Sequence, residues 1–251
     1  MYFNFKSSKI YYEKYGKSNK KLIILPGWGD NRKTFNNIIN KFKEKYEIYI
    51  FDYPGFGLSE NIEEELSIYD YTKMIIKFME YKKIKKPIII GHSFGGRIII
   101  TLTGYFNIEL DKIILISSAG IKPKKTILQK LKQRLYKMLK KISILFPKKY
   151  RNKYLKKLIN IFGSSDYKVL APLLQRTFIK IVNEDLTKYL SNIKEETLII
   201  WGENDNSTPI NDAYKINKLI KNSGLVKIKN TGHFCYLECP DYINLILDKF
   251  I

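Results

Sequence analysis

The residue best suited to act as a nucleophile is Ser93, in Ile88-Ile-Ile-Gly-His-Ser-Phe-Gly-Gly96. This G-x-S-x-G pattern directly follows a predicted strand and directly precedes a predicted helix. A serine on such a tight turn has strained backbone angles, and flanking glycines avoid steric clash. The turn lifts the hydroxyl above the sheet, and the N–H of Phe94 points at the oxyanion that forms on attack. The pattern therefore predicts acyl-transfer chemistry at Ser93.

A serine nucleophile needs a base, and the base needs an orienting acid. The chain has two histidines. His92 lies beside the nucleophile, and we expect its side chain to point away from Ser93. His233 follows the last predicted strand, where a histidine can reach across the carboxyl end of a sheet. We therefore predict His233 as the base; the alternative is an ordinary loop histidine.

Asp205 is the predicted acid, because it lies just past another predicted strand and gives the chain order Ser, Asp, His. The alternative for Asp205 is a turn or helix-cap aspartate, in which case Glu203 or Asp111 would substitute. The second oxyanion donor is predicted to be the backbone N–H of Trp28, in the glycine-containing loop Leu25-Pro-Gly-Trp-Gly-Asp30. The alternative there is a plain glycine-rich turn.

These residues need elements that hold them, and the chain alternates β-rich runs with helical patterns. The predicted strands are Tyr2–Phe5, Ile10–Tyr15, Leu22–Leu25, Ile48–Phe51, Ile88–Ile90, Ile113–Ile116, Leu198–Trp201 and Val226–Ile228. The predicted helices between them are Thr34–Lys45, Asp70–Tyr81, Gly95–Tyr105, Ile210–Lys221 and Asp241–Phe250. Such alternation predicts an α/β fold with a mostly parallel, doubly wound sheet of about eight strands. The first two strands, with no helix between them, predict a hairpin at one edge.

Residues 121–190 interrupt the alternation with helical patterns rich in lysine. One pattern runs from Ile127 to Leu145 and is stopped by Pro147; a second runs from Tyr154 to Phe162, and a third from Tyr167 to about Val182. We predict a core formed by residues 1–120 and 191–251, with residues 121–190 as a helical insertion.

Composition excludes several classes of protein. With 251 residues, 45% hydrophobic and 14% aromatic, the chain can form a core, so disorder is excluded as its main state. Two cysteines, Cys235 and Cys239, cannot make a disulfide scaffold and are too few for a zinc site, so we interpret them as reduced structural residues. No apolar run approaches the ~18–20 residues of a membrane span. The first residues lack an apolar signal segment, so we expect a cytoplasmic protein.

The formal net charge of +21 is unevenly distributed. Residues 121–190 hold 19 basic and 3 acidic side chains, which is +16, and the rest of the chain holds 26 and 21, which is +5. Codon bias alone would spread the charge more evenly. The stretch 121–163, with 15 basic residues and no acidic one, could meet an anionic membrane surface or an acidic carrier protein or ligand. The other interpretation packs its apolar side on the core and leaves its lysines solvated. Nucleic acid is not expected, because no recognised motif accompanies the basic stretch.

Taken together, the motifs resemble the α/β-hydrolase family from about Ile10 to Phe250. The resemblance rests on Leu25-Pro-Gly-Trp-Gly29, Asp52-Tyr-Pro-Gly-Phe-Gly-Leu-Ser59, Gly91-His-Ser-Phe-Gly-Gly96, Trp201-Gly-Glu-Asn-Asp205 and Gly232-His233. It implies that the insertion starting near Ile121 is a cap domain, which in the family covers the active site and sets substrate choice. It also implies a catalytic triad of Ser93, His233 and Asp205 that requires no metal or organic cofactor.

The family hosts many reactions, so the resemblance does not fix the activity. Ser93 argues against dehalogenases and epoxide hydrolases, which use an aspartate there. Pro26-Gly27 replaces the common His-Gly, as in esterase-like members, and the loop is similar to that of an esterase acting on an acyl carrier protein conjugate. We expect a serine hydrolase that cleaves a carboxylic ester or thioester. The alternatives are a carbon–carbon bond hydrolase or lyase acting on a carboxylate, in which Arg97 would contact substrate, and a membrane-surface lipase docked by the basic cap. For Arg97 we favour a helix-surface arginine.

Overall fold

Eight strands form one sheet in the computed structural model, which describes residues 1–122, 127–162, 167 and 170–251. The strands are β1 (Tyr2–Phe5), β2 (Ser8–Tyr15), β3 (Lys21–Leu25), β4 (Glu47–Phe51), β5 (Ile88–His92), β6 (Lys112–Ile116), β7 (Glu196–Gly202) and β8 (Ser223–Ile228). Their order across the sheet is β1-β2-β4-β3-β5-β6-β7-β8. The first two pairings, β1 with β2 and β2 with β4, are antiparallel, and the others are parallel. The mostly parallel sheet with an edge hairpin is therefore confirmed.

Some of the helices in the described part of the chain lie against the two faces of this sheet. The helices are α1 (Asn36–Phe42), α2 (Ile68–Tyr81), α3 (Phe94–Gly104), α4 (Ile127–Ile142), α5 (Lys148–Phe162), α6 (Pro172–Asn183), α7 (Ile210–Leu219), α8 (Cys235–Glu238) and α9 (Pro240–Phe250). Alternate residues of the central strands point to opposite faces, so Ile23 packs with α2, α3 and α7 while Ile24 packs with α1 and α9. Continuous Ile and Leu runs are buried because both faces are covered.

The predicted helix over residues 34–45 is shorter in the structure and has a different beginning. A 3-10 turn spans Arg32–Phe35, and α1 follows from Asn36. The turn forms because the side chain of Asn31 accepts a hydrogen bond from the Lys33 N–H and caps it.

Contacts divide the chain into two compact units, residues 1–122 with 180–251 and residues 123–179. Residues 180–190, which we predicted in the insertion, belong to the first unit. They are held there because Leu186 N–H donates to the Gly120 carbonyl at 2.9 Å and Tyr69 hydroxyl donates to Glu184 at 3.0 Å. The role of the other unit as a cap stays a prediction.

The second unit contains α4, α5 and most of α6. A 3-10 turn, Ser143–Leu145, continues α4, and Pro147 separates it from α5. The two helices meet through Tyr136 and Phe162, whose ring centroids are 5.8 Å apart. Tyr167, where the third predicted helix starts, is helical, and residues 168–169 of that prediction lie outside the described residues. The described helix α6 begins at Pro172, a residue suited to the first turn of a helix. Along the described ranges, no helix combines the length and apolarity needed to cross a bilayer.

Candidate active site

Ser93 lies on a strained turn between β5 and α3. Its backbone angles, φ 49° and ψ −107°, fall where a residue with a Cβ is rarely found. The turn is fixed on both sides, because Ser93 N–H donates to the Ile116 carbonyl at 3.1 Å and Ala119 N–H donates to the Ser93 carbonyl at 2.9 Å. The surrounding structure therefore holds Ser93 in the elbow that the motif predicted.

Glycine is required where α3 begins, because the helix approaches β3 closely. A Cβ on Gly95 would collide with the backbone carbonyl of Leu25. This close approach places the first turn of α3 directly beside the end of β3, from which the Trp28 loop emerges.

Asp205 follows β7 and is held by four hydrogen bonds. Its Oδ1 accepts the backbone N–H groups of Ser207 (2.8 Å) and Thr208 (2.9 Å). Its Oδ2 accepts the Thr208 hydroxyl at 2.8 Å and contacts His233 Nδ1 at 2.8 Å. Every lone-pair direction of the carboxylate is therefore used, and one of them faces the histidine.

The electrostatics of this pair favour an ionised carboxylate. Burial would raise the pKa of Asp205, but the hydrogen bonds from His233 and the Thr208 backbone outweigh it, so the pKa lies below its usual range. An ionised Asp205 can only accept, so His233 Nδ1 must carry a hydrogen. Nε2 of a neutral His233 is then free of its proton and able to act as a base.

The backbone of His233 is held by the neighbouring histidine, His92. The rings of His92 and His233 lie 4.7 Å apart, centroid to centroid, and His92 Nε2 donates to the backbone carbonyl of His233 at 3.0 Å. The expectation that His92 does not face Ser93 agrees with this contact. Within the described ranges no hydrogen bond joins the Ser93 hydroxyl to the His233 ring. The structure thus joins Asp205 to His233, and His233 to the segment that carries Ser93.

A second carboxylate stands behind His92. Asp30 Oδ2 lies 3.7 Å from His92 Nδ1 and accepts the Tyr236 hydroxyl at 3.0 Å. Burial raises and His92 lowers the pKa of Asp30, which lies below its usual range, while burial lowers the pKa of His92. His92 is therefore a neutral, fully buried ring that fixes the backbone of His233.

The two residues predicted to form the oxyanion hole are in contact. Phe94 is the first residue of α3, so its N–H has no partner within the helix. The rings of Trp28 and Phe94 are 5.1 Å apart and nearly perpendicular, and Tyr53 packs on Phe94 at the same distance. Tyr53 also donates to the Pro26 carbonyl at 3.2 Å, which ties the Trp28 loop to this cluster.

Arg97 is buried in the first unit instead of lying on the helix surface. It is 3% exposed and donates from Nη1 to the Glu184 backbone carbonyl at 2.9 Å. Burial lowers its pKa to about 10, against the opposing effect of nearby Asp185, so it is cationic at neutral pH. A contact between Arg97 and substrate stays a prediction; the contact in the structure ties α3 to residues 180–190.

The substitute acids are not beside His233. Asp111 is exposed just before β6, at the opposite end of the sheet from Asp205, and Glu203 is exposed with its carboxylate 4.0 Å from Lys227. Cys235 and Cys239 are free, and burial raises the pKa of the Cys235 thiol to about 12, which makes it a poor nucleophile.

Thr208 and Asp30 have positions at this site that the sequence analysis did not assign. Thr208 bridges two strand ends, because its hydroxyl also lies 3.1 Å from the Ser117 carbonyl. A signal for Thr208 existed: an aspartate followed by serine and threonine two and three residues later is typical of a turn closed by its own carboxylate. Nothing local marks Asp30, since its partners are distant in sequence.

The family model described as alpha/beta hydrolase fold matches residues 20–168 and 137–240. A pimeloyl-[acyl-carrier protein] methyl ester esterase of Wigglesworthia glossinidia brevipalpis is 31% identical over 94% of this chain and 95% of its own. Among solved structures, the N-acyl homoserine lactone degrading enzyme Est816 has a TM-score of 0.79 at 19% identity, covering 100% of both chains. The meta-cleavage product hydrolase CumD has a TM-score of 0.74 at 18% identity, covering 100% of this chain and 97% of its own.

The two solved structures share the fold, and the family model spans most of the chain. The carboxyl ends of β3, β5, β7 and β8 carry the loops with Trp28, Ser93, Asp205 and His233. The chain therefore belongs to the α/β-hydrolase family and is a hydrolase.

Proposed function

We propose that the protein cleaves a carboxylic ester or thioester through an acyl-enzyme intermediate formed on Ser93. The observation that carries the proposal is the 2.8 Å hydrogen bond between His233 and the buried Asp205, at the sheet end where the strained Ser93 turn lies. A histidine oriented by an ionised carboxylate, at the same end of the sheet as a strained serine, is the arrangement that nucleophilic acyl transfer needs.

In the first half-reaction, Ser93 Oγ bonds to the substrate carbonyl carbon while His233 Nε2 takes the hydroxyl proton. The carbonyl oxygen becomes an oxyanion, which accepts hydrogen bonds from the backbone N–H groups of Trp28 and Phe94. The carbon–leaving-group bond then breaks, and His233 returns the proton to the departing alkoxide or thiolate. Asp205 stabilises the imidazolium that exists between these two proton transfers.

In the second half-reaction, water replaces the leaving group. His233 takes a proton from water as the hydroxide attacks the acyl carbon, and the collapsing intermediate releases a carboxylic acid and restores the Ser93 hydroxyl. Each oxyanion donor is worth on the order of 10²–10³ in rate.

Ester cleavage is favoured over carbon–carbon bond cleavage by the state of Arg97. The likeness to CumD at 18% identity shows the fold alone. The guanidinium that would hold a carboxylate substrate is 3% exposed and already donates to the Glu184 carbonyl. The relative that is 31% identical is named for a methyl ester attached to an acyl carrier protein, which supports an ester as substrate.

The substrate is proposed to be a small acyl ester. The basic stretch 121–163 is proposed to bind a macromolecule, either an acidic carrier protein or an anionic membrane surface. A cytoplasmic location, with part of the protein at the membrane surface, accompanies this proposal. Cell fractionation of the tagged protein tests the location.

The experiment is a panel of p-nitrophenyl esters of increasing acyl length with purified wild type and Ser93→Ala. We expect hydrolysis by the wild type and a loss of at least about 10³-fold in Ser93→Ala, since that variant keeps only binding and oxyanion stabilisation. Ser59→Ala is the matched control, because Ser59 lies in the loop after β4 and donates to the Asp52 carbonyl at 2.6 Å. Full activity in Ser93→Ala would overturn the proposal, and a panel with no hydrolysed member would overturn ester cleavage.

A further inference from the structure

A row of apolar side chains is exposed along one face of α4. Leu131, Leu135, Met138 and Ile142 follow one another at intervals of four, three and four residues, which places them on one side of the helix. Each is between 41% and 53% exposed. We name this row the apolar stripe.

The apolar surface continues past both ends of the stripe. Ile127 and Leu128 extend it at the start of α4, and Ile144 and Leu145 extend it in the following 3-10 turn, where Leu145 is 84% exposed. A helix of 16 residues is about 24 Å long. Exposed apolar patches of this extent are uncommon on soluble proteins unless they bind something.

The stripe is not the side by which α4 packs within its own unit. That side carries Tyr136, whose ring meets Phe162 of α5, and Ser143, which is buried. Tyr136 and Leu139 are half-buried, whereas every member of the stripe is exposed. Within its own unit, therefore, α4 packs on α5 by the Tyr136 side and leaves the stripe uncovered.

Basic side chains line one edge of the stripe. Arg134, Lys137 and Lys141 each directly precede a stripe residue, and all three are exposed. No acidic residue occurs anywhere between positions 121 and 163. Long basic side chains beside an apolar row can keep their stems on apolar surface and their charges in a polar layer.

The combination of an apolar stripe and a basic edge distinguishes between the partners that could bind this face of α4. A second copy of the chain would bring two faces of like charge together, and repulsion opposes that contact. An acidic soluble protein would satisfy the charges, but it would need an apolar groove as long as the stripe as well. A bilayer containing anionic lipid satisfies both, because the acyl boundary takes the stripe and the headgroups take the basic edge.

We propose that α4 docks the protein on anionic membranes, with the stripe of Leu131, Leu135, Met138 and Ile142 buried at the acyl boundary and the Arg134 edge on lipid headgroups. The helix lies in the plane of the surface. This inference goes beyond the proposed hydrolysis and does not depend on Ser93.

The test measures co-sedimentation of the full chain with vesicles of phosphatidylcholine alone or with roughly a third phosphatidylglycerol. We expect binding to the anionic vesicles at low salt and at least about tenfold weaker binding to the neutral ones or when salt is raised to about 0.5 M. The Ser93→Ala variant is expected to bind as the wild type does, so the result is independent of catalysis.

Two triple variants separate the two parts of the surface. Leu131→Gln with Leu135→Gln and Met138→Gln removes the centre of the stripe and is expected to weaken binding on the order of a hundredfold. Arg134→Gln with Lys137→Gln and Lys141→Gln removes the basic edge and is expected to weaken it by about fivefold per residue at low salt.

The matched control for charge neutralises three exposed lysines of the first unit, Lys73, Lys221 and Lys249, and is expected to bind within about twofold of the wild type. Leu245→Gln, at an exposed leucine on α9, is the control for Leu135→Gln, because it makes the same apolar-to-polar change outside the stripe. Circular dichroism and thermal unfolding establish that each variant is folded.

The proposal is overturned if the wild type sediments with neither vesicle, or if the stripe variant binds anionic vesicles as well as the wild type does. The second result would mean that vesicle binding depends on charge alone, which an acidic soluble partner would also satisfy. A wild-type dimer in light scattering that the stripe variant abolishes, without vesicle binding, would assign the stripe to a second copy.

Discussion

Replacing Asp205 with asparagine changes one atom of the proposed triad and reverses one hydrogen bond. In the wild type, Oδ2 faces His233 Nδ1 at 2.8 Å, and Oδ1 accepts two backbone N–H groups. Asparagine keeps its carbonyl oxygen where the two backbone donors are, so its NH₂ must face the histidine. That NH₂ can only donate, so Nδ1 must become the acceptor and the proton moves to Nε2. A histidine with its proton on Nε2 cannot take the proton of Ser93.

The expected loss in kcat from this wrong tautomer is about 10⁴-fold, or about 5.5 kcal/mol of transition-state stabilisation. The loss of folding stability is expected to be smaller, about 2 kcal/mol at pH 7. Two hydrogen bonds to Oδ1 persist, and the Thr208 hydroxyl can turn to the Ser117 carbonyl, 3.1 Å away. Because the pKa of Asp205 is lowered in the folded state, its stabilisation is present above the ordinary carboxylate pKa and is lost as pH falls through the lowered value.

The assay is hydrolysis of p-nitrophenyl butyrate, with urea unfolding in parallel. Glu203→Gln and Asp111→Asn are the matched controls, since both remove carboxylates that the sequence offers as substitutes; each is expected to stay within about threefold of the wild type. The reasoning is refuted if Asp205→Asn keeps more than about a tenth of the wild-type kcat while Glu203→Gln loses activity.

Three further variants test the packing of α3 on the sheet, the charge of Glu47 at the start of β4, and the role of His92. Gly95→Ala should lower the free energy of unfolding in urea by about 3 kcal/mol, because its Cβ meets a β3 carbonyl. Gly224→Ala, with open space around its Cβ, should lower it by under about 1 kcal/mol. Equal losses would contradict the close approach of α3 to β3. Burial would raise the pKa of Glu47, but hydrogen bonds from two lysines and a tyrosine lower it to about 2. Glu47→Gln should therefore be less stable than the wild type by about 1 kcal/mol at pH 7, and this difference should vanish as the pH falls towards 2. A difference that persists at that pH would show that the charge of Glu47 is not its cause. His92→Ala should cost about 2 kcal/mol and lower kcat more than it raises KM, measured by thermal unfolding and initial rates, because the catalytic histidine loses its backbone anchor; an unchanged kcat would refute that role.

Much of the core could be predicted because its signals are local. The runs at Ile88–Ile90 and Ile113–Ile116 are apolar on both faces, and only a strand covered on both sides needs that. The turn at Ser93 follows from glycines at fixed offsets, and the φ of 49° agrees with the strain that the pattern implies. Asp205 and His233 were predictable because parallel strands end at the same edge of a sheet.

What could not be predicted depends on partners distant in sequence. Nothing near Arg97 shows that its guanidinium meets the Glu184 carbonyl, 87 positions later. The same holds for Asp30, whose contact to Tyr236 crosses most of the chain. Residues 180–190, predicted in the insertion, group with the first unit for the same reason: Leu186 and Leu190 are buried in its core, among side chains distant in sequence. Periodicity predicted α4, but it does not tell which apolar side of the helix is covered and which is exposed.

The most direct test of the proposed mechanism is to locate the covalent adduct that a fluorophosphonate forms with the protein. Such a probe traps only a serine activated by a base, so peptide mass spectrometry of the labelled wild type should place one phosphonyl group on Ser93. Labelling should be lost in Ser93→Ala and slowed by at least about 10³-fold in His233→Gln. An adduct on another serine, or labelling of Ser93→Ala at the wild-type rate, would contradict Ser93 as the nucleophile.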